Sequence, residues 1–394
     1  MTGLLDVFPV VVVTGARQTG KSTLVRRPEL FGERMYLTLD DVLLRDEARR
    51  DPELFLDRAE QLTIDEVQHA PDLLFAIKKR VDERRRRGRY VLTGSSNLLL
   101  QRDVSESLAG RAGYATVWPL TRREQIGLGA AGMWTDLLRS APAAWPELLH
   151  EQVVPAEPWQ PLAQRGGYPV AAYELERPEQ RADWFAGYAA TYLERDLRQL
   201  SAIENLADMR RLMAALCLRL GGLLNQADLA RDVALPSSTV QRFLNLLEVS
   251  YQLVRVPGYA VNRTRRLIKS PKIYWSDTGL ALHLAGATAL RGAHLENLVL
   301  TDLLAWAGQS PQRPAVLHWR TNTGAEVDFV IELPERLLAI EVKAAKRVTH
   351  ADARHLRTFL DDYPTSQAAL LLYDGDDIFW LDRGVLAVPW HRVI

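Results

Sequence analysis

An α/β protein headed by a parallel sheet is what the 394-residue sequence predicts, on three observations. A β-branched run, Val10 to Thr14, feeds directly into the glycine loop Gly15-Ala16-Arg17-Gln18-Thr19-Gly20-Lys21-Ser22. The stretch "LTIDEVQ", residues 62 to 68, is a short apolar strand that ends in two carboxylates, and "RYVLTGSSN", residues 89 to 97, reads as another strand. Far downstream, "GAEVDFVIELPERLLAIEVKAAKRV", residues 324 to 348, holds two apolar strands around a tight turn, the sign of a second α/β module.

The first run has the unbroken apolar character of a strand buried on both faces. The glycine loop after it fits G-x-x-x-x-G-K-[ST] at every constrained position, so a P-loop NTPase sheet is expected. Glycines permit turns that a Cβ would block, and successive amide N–H groups can then wrap phosphates. Lys21 is placed to reach the β- and γ-phosphates and the Ser22 hydroxyl to ligate magnesium, with Thr23 closing the motif. A helix starting at Lys21–Ser22 would aim its positive end at the same anion. A chance glycine turn is the alternative, and the carboxylates some 45 residues on weaken it. Asp65 would hold the magnesium through water, and Glu66 would orient and deprotonate the attacking water.

"YLTLDD", residues 36 to 41, reads as a further core strand. The polar end of the third strand, Thr93 to Asn97, lies where a sensor would touch the γ-phosphate, with Ser95 and Asn97 as candidates. Ordinary strand-end turn chemistry is the other reading there. Arg111, in "LAGR", is a candidate finger or sensor arginine, with a surface salt bridge as the alternative. These features define a first segment of residues 1 to about 130.

Composition bounds what the rest can be. Apolar residues make up 47% and charged residues 25%, the balance of a folded chain long enough for two or three domains. Forty-nine basic and 49 acidic side chains cancel, so a nucleic-acid contact needs a local patch. The one cysteine, Cys217, allows no internal disulfide, which points to the reducing cytoplasm. The early apolar run has no basic leader and no stretch reaches the roughly 20 apolar residues of a membrane span, so neither export nor a membrane is expected.

Residues 131 to 203 read as a helical lid and connector, rich in Ala, Trp and Pro early and helical in period later. Tyr192, Arg195 and Asp196 are candidates for signalling nucleotide state, against plain packing and surface pairing. Residues 204 to 285 have the rhythm of a winged helix: one helix over Gln226 to Asp232, a turn over Val233 to Pro236, a second helix over Ser237 to Glu248. The adjoining stretch "RVPGYAVNRTRRLIKSPK", residues 255 to 272, carries six basic residues and no acidic one. Arg263, Arg265, Arg266, Lys269 and Lys272 would form the phosphate-contacting patch on DNA or RNA. Pairing of that wing with an acidic face of the same molecule is the competing reading. The run Arg84 to Arg87 is a solvated helix end.

In residues 286 to 394, Asp328 leaves the first strand of the hairpin, while Glu341 and Lys343 leave the second on one face. Asp…Glu-x-Lys across a hairpin is the PD-(D/E)xK arrangement of endonuclease-like modules. Asp328 and Glu341 would bind a second divalent metal and Lys343 would steady the charge. Glu296, in "HLENLVLTDLL", matches the acidic residue such folds carry on an earlier helix. A surface hairpin with a Glu341–Lys343 ion pair is the plain alternative.

Taken in order, "GARQTGKSTL", "IDEVQHAPDL", "VLTGSSNLLL", "LAGR", "GGYP", "YLERDL", "SPKIYWSDTGL", "GAEVDF" and "IEVK" span nearly the whole chain. They resemble prokaryotic predicted AAA+ ATPases, which join an N-terminal AAA domain to a C-terminal domain of unknown function built from a winged helix and a restriction-endonuclease-like module. The resemblance implies ATP and Mg2+ at Gly15 to Thr23, Asp65 and Glu66, and an endonuclease-like core at Glu296, Asp328, Glu341 and Lys343. Only nine or so residues precede the first strand, where such ATPases usually carry a helical lead-in, so either the adenine is held from elsewhere or the true start lies further upstream. Three functions are expected from these features: an ATP-driven nucleic-acid enzyme, an ATP-dependent switch with a non-cleaving interaction module, or a protein remodeller. A homo-oligomer is compatible with each.

Overall fold

The computed structural model describes residues 2–94, 108–129, 131–152, 154–192, 205–266, 269–287 and 289–394. The four segments expected from the sequence gather into two compact units. The first comprises Met1–Trp118, Thr191–Glu204 and Asn245–Gln252; the second comprises Pro119–Ala190, Asn205–Leu244 and Leu253–Ile394.

The first unit is built on strands β1 (Val10–Thr14), β2 (Met35–Thr38), β3 (Leu62–Asp65), β4 (Tyr90–Thr93) and β5 (Ala112–Thr116), in the order β2-β3-β4-β1-β5. Every pairing is parallel. β1 lies between β4 and β5, and Val10 to Val13 have no exposed surface. Val10 and Val12 enter one core with Ile64, Ile77 and Leu92, while Val11 and Val13 enter another with Val25 and Phe31. Alternate residues of a strand point to opposite faces, and here both faces are covered, which is why the run shows no polar alternation. The helix Leu73–Glu83 turns Leu73, Leu74, Ile77 and Val81 inward at the helical spacing. The helix Val42–Arg50 is capped by Asp41, whose carboxylate accepts from Leu43 N at 2.8 Å and Leu44 N at 3.1 Å.

In the second unit, strands β6 (Leu253–Val256) and β7 (Lys272–Trp275) form an antiparallel pair after the helices Leu206–Leu218 and Gln226–Asp232 and a third, Ser237–Val249, which belongs to this unit as far as Leu244. Asn205 and Asn225 cap the first two of these helices, and Ala234, in the turn before the third, takes the left-handed conformation at φ 50°. The rest of the unit holds a six-stranded mixed sheet: β8 (Ala315–Arg320), β9 (Glu326–Leu333), β10 (Arg336–Lys343), β11 (Ala369–Tyr373), β12 (Phe379–Asp382) and β13 (Val385–Pro389). Its order is β12-β13-β11-β10-β9-β8, with β10–β11 and β11–β13 parallel and the other pairs antiparallel. Leu356 and Phe359 of the helix Arg354–Asp362 pack on it with Val330, Ala339 and Leu371.

Two buried aspartates brace this unit. Asp277 accepts from Gly167 N at 2.6 Å and caps the helix Thr278–Ala285 through Leu280 N at 2.8 Å. Asp302, on the helix Gly292–Gln309, accepts from Trp134 Nε1 at 2.6 Å and Gly132 N at 2.8 Å through one oxygen. Its other oxygen is buried with no hydrogen-bond partner among the described residues, and burial pushes the carboxyl up to about 7. The folded state therefore keeps a proton that the unfolded chain releases near 3.8, so the stability this group contributes at low pH is lost as pH rises through about 7. The Tm of the protein should fall more steeply between pH 5 and pH 8 than that of an Asp302→Asn variant, which keeps the acceptor and cannot ionise; equal slopes would contradict this. Among the described residues no helix is long and apolar enough to cross a membrane.

Candidate functional site

The carboxyl ends of β1, β3 and β4 point the same way, so the loops that leave them converge, as parallel sheets require. Gly15 sits at φ 142°, and a Cβ there would lie 2.2 Å from the Val117 carbonyl oxygen, which leaves room for glycine alone. Gln18 at φ 61° and Gly20 at φ 88° are left-handed, and such turns curl successive amides toward one concavity. Thr19 ties the loop to itself by donating to Ala16 O at 2.9 Å. Lys21 is buried, and its ammonium donates to Gly15 O at 3.1 Å and Ala16 O at 2.7 Å. Arg17 is half-buried, and Gln18 and Thr23 are exposed. The helix opened by Lys21 is only five residues long, so the loop amides and Lys21 outweigh the helix end that the sequence suggested.

Asp65 is buried at the end of β3 and gathers three hydroxyls. Ser22 Oγ donates to its Oδ1 at 3.1 Å, Thr93 Oγ1 donates to the same oxygen, and Tyr36 OH donates to Oδ2 at 2.5 Å. Tyr36 is held from the other side by the Arg26 guanidinium, 4.1 Å from the ring centroid, and burial with the Asp65 bond pushes its phenol up to about 12. Glu66 adopts φ 56°, ψ 46°, a left-handed backbone that costs a non-glycine residue roughly 1–2 kcal/mol. Its amide donates to Thr93 Oγ1 at 3.2 Å, and Gln68 Nε2 donates to its carboxylate. Strain of this kind is kept where it aims a side chain. At the base of the loop, Tyr251 OH donates to Thr14 Oγ1 at 2.7 Å, with the Trp118 ring edge-on at 5.8 Å. Hard oxygen donors on Ser22 and Asp65, 3.1 Å apart, fit Mg2+.

Two of the sequence candidates are not brought here. Arg111 precedes β5 at the opposite end of the sheet and forms a two-pronged pair with Asp82, at 2.5 and 2.9 Å, so the surface-bridge reading is the one observed. Ser95, Asn97, Arg195 and Asp196 lie outside the described residues; Tyr192 is buried, its hydroxyl 2.5 Å from Ser250 Oγ. Sequence reasoning missed Tyr36, Gln68 and Tyr251. A tyrosine second in the strand next to the acidic one, and a glutamine two residues past the Asp-Glu pair, were the available signals; nothing local marks Tyr251.

The second unit places Glu296, Asp328, Glu341 and Lys343 around one buried centre, together with a residue the sequence had assigned to a nucleic-acid surface. Lys272, at 2% exposure, extends its ammonium into the carboxylates: 2.6 Å to Glu326, 2.8 Å to Asp328 and 3.9 Å to Glu296. Asp328 Oδ2 accepts from Val342 N at 2.9 Å, Lys343 donates to Glu341 at 2.6 Å, and Tyr274 OH donates to Glu296 at 2.9 Å. Burial and the neighbouring Asp328 charge push the carboxyls of Glu296 and Glu341 up. Each of the two expected metal ligands carries an ammonium here, Lys272 on Asp328 Oδ1 and Lys343 on Glu341 Oε1. Among the described residues no three His, Cys, Asp or Glu side chains form a metal-holding group.

The basic patch is likewise revised. Arg266 makes a two-pronged pair with Glu332 at 2.6 and 2.7 Å, Lys269 donates to Tyr259 O at 3.0 Å, and Lys272 is buried as described. The side chains of Arg263 and Arg265 lie outside the described ones. Local charge balance supplies the reason for two of them: acidic strand residues of β9 draw Arg266 and Lys272 inward, while Lys269 is held by backbone carbonyls.

Loop, lysine, hydroxyl and acidic strand end define a P-loop nucleotide-binding sheet. Residues 7–126 match the family described as an AAA domain, and residues 157–291 and 291–393 match two domains of unknown function, DUF8612 and DUF4143. The chain is 32% identical over 397 aligned positions to uncharacterized proteins of Mycobacterium bovis and Mycobacterium tuberculosis, covering 98% of this chain and 81% of each of those. It belongs with them to the prokaryotic AAA+ ATPases that carry an N-terminal AAA domain and a C-terminal domain of unknown function. Among solved structures, the Walker-type ATPase of Pyrococcus abyssi is 17% identical, covering 72% of this chain and 92% of its own, with a TM-score of 0.41. The RuvB Holliday junction branch migration motor of Thermotoga maritima is 16% identical, covering 63% and 82%, with a TM-score of 0.28. Overlays as loose as these carry no inference about activity.

Proposed function

We propose that the first unit binds ATP with Mg2+ and hydrolyses it, and that this cycle governs how the second unit engages a partner. The observation that carries the reading is the hydrogen-bonded set Ser22, Asp65, Thr93 and Glu66, with Lys21 on the adjoining loop, at the carboxyl end of the sheet. Lys21 exchanges its carbonyl partners for the β- and γ-phosphates, whose remaining oxygens are met by the amides of residues 15 to 22. Ser22 and Asp65 would hold Mg2+, which when bound neutralises charge on the phosphates. Thr93 and Tyr36 keep the Asp65 carboxylate turned toward Ser22. Glu66, fixed by its backbone and by Gln68, holds the attacking water and takes its proton. The lone, buried Cys217 supports a reducing, cytoplasmic setting.

Removal of the Lys21 ammonium tests the reading. Lys21→Ala should weaken ATP binding at least tenfold and abolish hydrolysis while the fold, followed by circular dichroism, is kept. Unchanged binding and turnover would sink it.

For the second unit, the three helices and the β6–β7 pair support a winged-helix reading, and the β8–β11 sheet an endonuclease-like one. The interaction-module reading is favoured over phosphate-backbone tracking, because Arg266, Lys269 and Lys272 are held within the chain. Arg219 and Arg231, beside the helix-turn-helix, also pair with Asp232 and Asp228. Turnover measured with single-stranded, duplex and branched DNA decides: no stimulation supports the switch, and stimulation restores the nucleic-acid enzyme. Mass measured with and without ATP reports whether a homo-oligomer forms.

A further inference from the structure

We propose that Lys272 is the resident cation of the carboxylate cluster Glu296–Glu326–Asp328, and that it keeps a divalent metal from the centre that Asp328, Glu341 and Lys343 would otherwise build. This stands apart from the ATPase reading, since no residue of the first unit takes part.

Three observations combine. The first is position: Lys272 opens β7, paired with Val256 on one side and bridged to Leu223 on the other, so its backbone belongs to a ladder and cannot swing away. The second is occupancy. The ammonium lies 2.6 to 2.8 Å from one oxygen each of Glu326 and Asp328, the space in which a metal would touch the same atoms. The third is the count of available ligands. Asp328 Oδ1 is held by Lys272, Asp328 Oδ2 by Val342 N, and Glu341 Oε1 by Lys343; Glu341 Oε2 alone is buried without a hydrogen-bond partner among the described residues. The two ammonium groups already supply the positive charge that Mg2+ or Mn2+ would bring to these carboxylates, and they repel such an ion.

Lys272 thus stands where a dissociable ion stands in a metal-dependent phosphodiesterase. Neutralisation is permanent, and the metal-polarised hydrolysis expected from the Asp…Glu-x-Lys pattern has no cation to work through. The centre becomes a structural junction joining the β6–β7 pair to the β9–β10 hairpin.

Nucleotide-free full-length protein titrated with Mn2+, followed by the electron paramagnetic resonance of free Mn2+, tests this. The intact protein and Asp328→Asn should hold equal amounts, whereas Lys272→Ala should gain about one Mn2+ per chain, and Lys272→Ala with Asp328→Asn should lose that gain. More Mn2+ on the intact protein than on Asp328→Asn overturns the proposal, as does a folded Lys272→Ala that gains none. Should either variant fail to fold, Glu341→Gln against the intact protein decides: equal Mn2+ upholds the inference, and a loss in Glu341→Gln refutes it.

Discussion

Glu66→Gln should leave ATP bound and cut turnover by about 10²–10⁴-fold, the range that a positioned general base contributes. Glutamine keeps the size of the side chain and an oxygen for Gln68 to donate to, but it cannot accept a proton from water. The left-handed backbone at residue 66 is set by the strand end and by Thr93, not by the carboxylate, so the turn is retained. Binding of a fluorescent ATP analogue should therefore match that of the intact protein while phosphate release collapses. A variant that binds poorly would mean that Glu66 shapes the pocket and does not perform the proton transfer. A variant that still turns over would assign the base elsewhere.

Gly166→Ala should destabilise the protein by about 2–6 kcal/mol, adding roughly 1–3 for a side chain in a positive-φ conformation to roughly 1–3 for forced overpacking. Gly166 sits at φ 70°, and an alanine Cβ would come 2.5 Å from Asp277 Oδ1 and 2.7 Å from Oδ2. The clash is with the group that caps the helix Thr278–Ala285 and receives Gly167 N, so relief by moving Asp277 breaks two hydrogen bonds. Urea denaturation should show the loss as a lower midpoint at an unchanged slope. A midpoint within experimental error of the intact protein would show that the turn has room the structure denies.

The nucleotide site was legible because its chemistry is local. A loop that wraps phosphates needs glycines and a lysine at fixed intervals, and the strand ending in Asp65-Glu66 is recognisable for the same reason. The acidic centre of the second unit was half legible. Asp328, Glu341 and Lys343 come from one hairpin, so alternation placed them on one face. Lys272 comes from a strand 56 positions before Asp328, and in sequence it sits among other basic residues that suggested a surface. Only the folded sheet shows that its ammonium turns inward. Arg111 was left with two readings for a related reason: the pattern "LAGR" does not say which end of β5 the arginine marks. The "GGYP" and "SDTGL" stretches were recognised without a function, and the contact between Gly167 and Asp277 supplies one.

The hydrogen bond from Tyr251 to Thr14 has a consequence for biosynthesis. All five strands of the first sheet leave the ribosome before residue 117, yet Asn245–Gln252 belongs to the same compact unit. At about 5–20 residues per second, on the order of ten seconds of translation separate β5 from the tyrosine that covers the end of β1. During that interval Thr14, at the end of β1, waits for its hydrogen-bond partner, which comes only when a segment more than halfway along the message has emerged.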